Sequence, residues 1–93
     1  MVLKGKVILN EQENTGNYDF SIQKSYMTIG FQNVFGDEAS LIAFTAIRLI
    51  METYPDNADY LQTFKYVHSD GTQTAFWIIH DGDYYTLLLP EEY

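Results

Sequence analysis

The stretch His80-Asp81-Gly82-Asp83-Tyr84-Tyr85 gathers an imidazole, two carboxylates and two phenols within six positions. Such groups can hold a metal ion or move protons, provided that a second base or a nucleophile converges on them. The same residues also spell a tight turn. Asp-Gly between β-prone runs supplies the positive φ angles that a two-residue hairpin loop demands. His80 flanks the turn and is expected to face Asp83 across it, a pair that orients the ring but lacks a nucleophile and an oxyanion site. The other histidine, His68, is expected at the opposite end of the same strand. Near-extended chain at ~3.3 Å per residue puts the two rings more than ~20 Å apart, too far to share a metal. The hairpin reading is preferred.

Aspartates form the second candidate group. Asp56 and Asp59 precede a strand expected to pair with the one ending in His80, so Asp56, Asp59, Asp81 and Asp83 should gather at one end of a sheet, with Glu52 nearby. Carboxylate oxygens suit Ca²⁺ or Mg²⁺, so a metal-dependent or enzymatic site at this end is one alternative. The spacing matches no EF-hand loop, however, and aspartate is common in turns for local reasons. A solvated acidic rim is preferred, and no cofactor is expected.

Other chemistries are excluded more directly. The chain has no cysteine, hence no disulfide, zinc-thiolate site or thiol nucleophile. Gly30 and Gly36 lack the spacing and the lysine of a phosphate-binding loop. No Gly-x-Ser-x-Gly elbow is present.

Charge narrows the class of partner. The formal net charge is −8, unevenly spread. Residues 1–51 hold five acids against four bases, whereas residues 52–93 hold eight acids against Lys65 alone. Nucleic-acid binding needs cations that displace counterions from phosphate, so direct binding is disfavoured. A basic protein surface suits this field. No segment is apolar for the length of a membrane span, and the N-terminus lacks the pattern of a secretory signal, so a soluble cytoplasmic protein is expected.

The elements that must position these residues make one α+β domain over 1–93, mainly antiparallel, in the order β-β-(β)-α-β-β-β. Alternation predicts strands over 3–10, 18–23 and 26–31. One helix is predicted over 37–54, with Asp37 as N-cap and Pro55 as its stop. Its polar stripe (Glu38, Thr45, Glu52) is so narrow that burial over most of its girth is expected. The C-terminal part reads as a three-stranded meander over 60–67, 73–79 and 84–89.

Two-residue loops at Asp70-Gly71 and Asp81-Gly82 would place Phe64 beside Trp77 and Lys65 beside Phe76. Both faces of the meander are then apolar, and one carries Phe64, Tyr66, Trp77 and Tyr84. One helix covers one face, so the other should meet the N-terminal strands, a second copy or a partner. Aromatic anchors ringed by acids are what interface cores tend to contain. The leading expectation is therefore a non-enzymatic acidic protein-binding module, of the physical type of small inhibitors, immunity proteins and phage-related accessory proteins. It would dock through Phe64, Tyr66, Trp77 and Tyr84 together with Asp56, Asp59, Asp81 and Asp83. The alternative is a structural homodimer that buries the aromatic face.

Overall fold

The computed structural model describes residues 2–22 and 24–93. Five strands form one sheet: β1 (Lys6–Leu9), β2 (Ser25–Met27), β3 (Leu61–Val67), β4 (Gln73–His80) and β5 (Tyr85–Leu88). Their spatial order is β1-β3-β4-β5-β2. Neighbours are antiparallel except β2, which joins the far edge parallel to β5. Two helices, α1 (Ile29–Phe35) and α2 (Ala39–Thr53), lie between β2 and β3 in sequence, joined by a 3-10 turn at Gly36–Glu38. A second 3-10 turn, Pro90–Glu92, follows β5. The α+β class is the expected one, and the sheet is mixed.

Helix formation starts earlier than the sequence suggests. The expected strand over 26–31 stops at Met27, because the Thr28 hydroxyl accepts the Phe31 N–H at 3.1 Å and caps α1. Phe31 and Phe35, one helical turn apart, are then both buried, while Ile29 is 76% exposed. Gly36, at φ 53°, breaks α1 with a backbone angle that side chains resist. Asp37 is not the N-cap of α2; Glu38 holds that place without a side-chain capping bond. Its carboxylate accepts instead from the Lys4 N–H (3.0 Å) and the Tyr66 hydroxyl (3.1 Å), and that hydroxyl accepts the Gly5 N–H at 2.8 Å. Burial, reinforced by the Glu38 charge, pushes the Tyr66 hydroxyl up from its ordinary value.

α2 buries Ala39, Ile42, Ala43, Ala46, Ile47 and Ile50, a single stripe at helical spacing. The expectation of burial over most of its girth is corrected: Phe44 is 61% exposed on the outer side. There the Arg48 guanidinium lies 5.9 Å from the Phe44 ring centre and pairs with Glu52 at 3.2 Å.

The register of the first hairpin decides the core. His68 N–H donates to Thr72 O, so Ser69, Asp70 and Gly71 form a three-residue loop, with Gly71 at φ 90° in the position that needs it. The pairing is therefore shifted by one from the expected register: Phe64 faces Phe76, and Lys65 faces Ala75. A one-residue slip turns every β3 side chain to the other face. Phe64 and Tyr66 accordingly enter the core with Phe76, Ile78 and Leu87. Phe64 stacks on Phe76 with ring centres 4.8 Å apart, and Phe31 and Phe35 meet the Phe76 ring edge-on at 5.4 and 5.6 Å. Such pairs add ~0.5–1.5 kcal/mol each to the hydrophobic gain.

The N-terminal third does not form a second layer. β1 and β2 occupy opposite edges of the sheet, so the connection between them passes the end where β3 starts and β4 finishes. No strand forms over 18–22, and Gln23 of the expected 18–23 strand lies outside the described residues. Tyr18 N–H instead donates to Ala58 O, and Phe20 is buried at the sheet end. Among the described residues, no helix is long and apolar enough to cross a membrane.

Candidate functional site

The hairpin at Asp81–Tyr84 holds His80 as a packing residue. Asp81 N–H donates to Tyr84 O at 2.8 Å, so the central residues are Gly82 and Asp83, with Gly82 at φ 96°. This register differs by one position on each strand from the expected loop, pairing His80 with Tyr85. The expected His80–Asp83 pair does not form. His80 Nδ1 accepts the Gly82 N–H at 2.9 Å, which leaves Nε2–H to donate to the Asp19 carbonyl at 2.8 Å. The ring is 4% exposed and wedged among Tyr18, Phe20 and Tyr85, with centres 5.2, 5.0 and 6.4 Å away. Both ring nitrogens are occupied by backbone, so His80 ties the crossing segment to the β4–β5 turn.

The four aspartates share one end of the sheet but not one site. Asp59 is turned inward, 8% exposed, and its carboxylate accepts the Tyr60 N–H at 2.9 Å. Asp56 lines a cleft of about 460 Å³ on the helix side with Tyr18, Asp19, Met51 and Tyr54. Asp81 and Asp83 stand exposed on the hairpin. Among the described residues, no three His, Asp or Glu side chains come together closely enough to hold a metal ion. The field they create is still legible: the Asp81 charge, followed by partial burial and more weakly by Asp83, raises the Tyr84 hydroxyl from its ordinary value. Asp19 is held below the usual carboxylate range by the Ser21 hydroxyl and N–H.

Of the four expected aromatic anchors, two lie on the open sheet face and two do not. Phe64 and Tyr66 are each 1% exposed beneath the helices, which corrects the expectation that they share a surface with Trp77. Trp77 and Tyr84 lie on the opposite face with Ile8, Leu61, Val67, Ile79 and Leu88, as strand alternation and the register require. Lys6 and Lys65 belong to the β1 side of that face. Tyr26 meets Tyr84 edge-on at 5.2 Å, and Tyr93 meets Trp77 edge-on at 5.6 Å. Trp77 remains half-buried, because among the described residues no second sheet or helix is laid over this face.

Beside Trp77 is a cleft of about 260 Å³ lined by Glu11, Gln12, Glu13, Asn14, Asp59, Tyr60, Leu61, Thr63 and Trp77. Gln12 builds it. Its backbone N–H donates to the Tyr54 hydroxyl (3.1 Å) and its Nε2 to Asn57 O (2.9 Å). Its Oε1 accepts from the Asp59 N–H (2.9 Å) and the Gln62 amide (2.8 Å). Gln62 Nε2 also donates to Asp59 O at 3.1 Å, and both acceptors fix the amide orientation. Gln62 Oε1 is left buried without a partner. One glutamine thus pins the 10–16 segment to the α2–β3 connection and holds Glu11 and Glu13 on either side of it. Sequence reasoning missed Gln12, Glu11, Glu13 and Tyr60, since a polar Glu-Gln-Glu-Asn run reads as loop whatever its side chains grip.

Comparison with protein-family models, with curated proteins and with solved structures finds no match for this chain.

Proposed function

We propose that the chain is a non-enzymatic acidic protein-binding module, acting in the cytoplasm, that docks onto a basic macromolecular surface as small inhibitors, immunity proteins or phage-related accessory proteins do. The observation that carries the reading is the sheet face around Trp77 and Tyr84. It carries Trp77, Tyr84, Leu61 and Ile79 beside Thr63, Lys65 and Thr86. It has Tyr93 against Trp77 but no second sheet or helix over it among the described residues, and is bordered at one end by Glu11, Glu13, Asp81 and Asp83. Apolar surface of this kind is characteristic of interaction sites, and opposite charge on the partner would steer the encounter. A homodimer through the same face is the second reading. A net charge of −8 on each copy opposes it, because like charges would be brought together. The acids likewise oppose contact with nucleic acid phosphates.

The test is affinity capture from the source cells with the wild-type chain and a Trp77→Ser/Tyr84→Ser variant as paired baits, both verified folded by circular dichroism. A basic protein retained by the wild type, lost on the variant and weakened by added salt is the expected result. Identical recoveries on both baits would count against the reading. A sedimentation profile showing a stable wild-type dimer that Trp77→Ser dissociates would favour the second.

A further inference from the structure

We infer that the cleft between Glu11–Asn14 and Trp77 is a socket for a single arginine side chain presented by the partner, an inference that rests on the protein-binding reading above. The cleft joins two features that recognise a guanidinium. Tyr60 and Trp77 supply aromatic surface, on which a flat cation is held by the ring quadrupole. Glu11 and Glu13 also line it, on a segment shared with a neighbouring cleft toward Tyr54 and Asn57, and carry carboxylates with which a guanidinium fork can make charge-assisted hydrogen bonds.

No lysine or arginine of this chain lines the cleft; Lys65, two positions along β3 from Thr63, is not among its walls. The only salt bridge among the described residues is Arg48–Glu52 on α2, so neither glutamate is neutralised by an ion pair. The size fits one side chain: about 260 Å³ falls below the roughly 300–1,000 Å³ of small-molecule sites. The shape is set in advance, because Gln12 fastens the segment carrying both glutamates through its backbone and both ends of its amide. Arginine is favoured over lysine because a planar fork stacks and bridges two carboxylates, whereas an ammonium is a point charge that prefers its water.

The experiment is an amide and indole NMR titration of the ¹⁵N-labelled full chain with a capped Gly-Arg-Gly peptide, against the matching citrulline and lysine peptides. Shifts confined to Glu11–Asn14, Tyr60–Thr63 and the Trp77 indole are expected. Binding should weaken at least about fivefold for citrulline, the scale of an exposed cation–π contact joined to one charge-assisted hydrogen bond. A Glu11→Gln/Glu13→Gln variant should lose the response, and an Asp81→Asn/Asp83→Asn variant should keep it. Equal binding of citrulline, shifts spread over the Asp56 and Asp81 surfaces, equal loss in both variants, or no shift at millimolar peptide would each overturn the inference. If captured partner is lost on the Trp77→Ser/Tyr84→Ser bait yet kept by Glu11→Gln/Glu13→Gln, the socket fails while the docking reading stands.

Discussion

Replacing Gln12 with alanine tests the claim that one side chain fixes the sheet end. The substitution removes three hydrogen bonds, to Asn57 O, the Asp59 N–H and the Gln62 amide. Asn57 is exposed, so water can take over its carbonyl at little cost. The Asp59 N–H and the Gln62 amide belong to residues that are 8% and 0% exposed, and Gln62 already carries one unpaired oxygen. An orphaned buried donor costs ~1–3 kcal/mol, and Gln62 Nε2 retains Asp59 O, so a total loss of ~2–3 kcal/mol is expected. For a domain of this size each kcal/mol moves the melting temperature by ~4–8 °C, giving a drop of ~8–24 °C. Urea unfolding followed by Trp77 fluorescence and by circular dichroism measures it, with an unchanged slope if two-state behaviour holds. Gln12→Glu keeps acceptor oxygens for both donors but turns an oxygen toward the Asn57 carbonyl, so it should recover part of the stability lost by Gln12→Ala. A Gln12→Ala loss below ~0.5 kcal/mol, the range of a neutral surface change, would refute the argument.

Phe64→Ala should cost ~3–5 kcal/mol by the same urea assay, since it empties the stack against Phe76; a surface-like loss would contradict the register. Gly5→Ala would drive a methyl carbon into Val67 O and to 2.7 Å from the Tyr66 ring, so β1 must shift; a loss above ~1 kcal/mol is expected, and an unchanged urea midpoint would speak against that close approach. Phe44→Gln, on the outer side of α2, loses the Arg48 contact and should cost no more than ~1 kcal/mol, and a loss of ~3 kcal/mol would mean that the Phe44 side is packed. Asp19, Asp70 and Glu92 are all held below their ordinary values of 3.8, 3.8 and 4.5 by hydrogen bonds from Ser21, Thr72 and Thr28 respectively. Their stabilising contribution is therefore full above those ordinary values and disappears as pH falls through the lower folded ones. An Asp19→Asn/Asp70→Asn/Glu92→Gln variant should lose less of its urea midpoint between neutral and strongly acidic pH, and equal losses would contradict the assignment.

The meander, the main helix and the acidic end could be read from local signals, because each rests on near neighbours in sequence: Asp-Gly turns, β-branched runs, and an apolar stripe stopped by Pro55. What escaped depended on a single residue or on distant partners. Whether Asp70-Gly71 is the whole loop or the last part of Ser69-Asp70-Gly71 cannot be told from composition, yet that choice moved Phe64 and Tyr66 from the surface into the core. Thr28 was legible as an N-cap only once Phe31 and Phe35 were paired at helical spacing and not assigned to a strand. The cleft beside Trp77 was not legible at all. Its walls come from segments about fifty residues apart, brought together by Gln12.

Among the described residues, the two outer strands find their strand partners late in the chain: Lys6 pairs with Val67, and Ser25 with Tyr85. During synthesis β1 and β2 thus leave the ribosome before the strands they pair with, and β2 waits until β5 has emerged. Because β1 is already present when β3 emerges, the sheet can grow from its β1 edge through β3, β4 and β5, with β2 added last. A chain halted before Tyr85 would carry β2 as an unpaired edge open to aggregation.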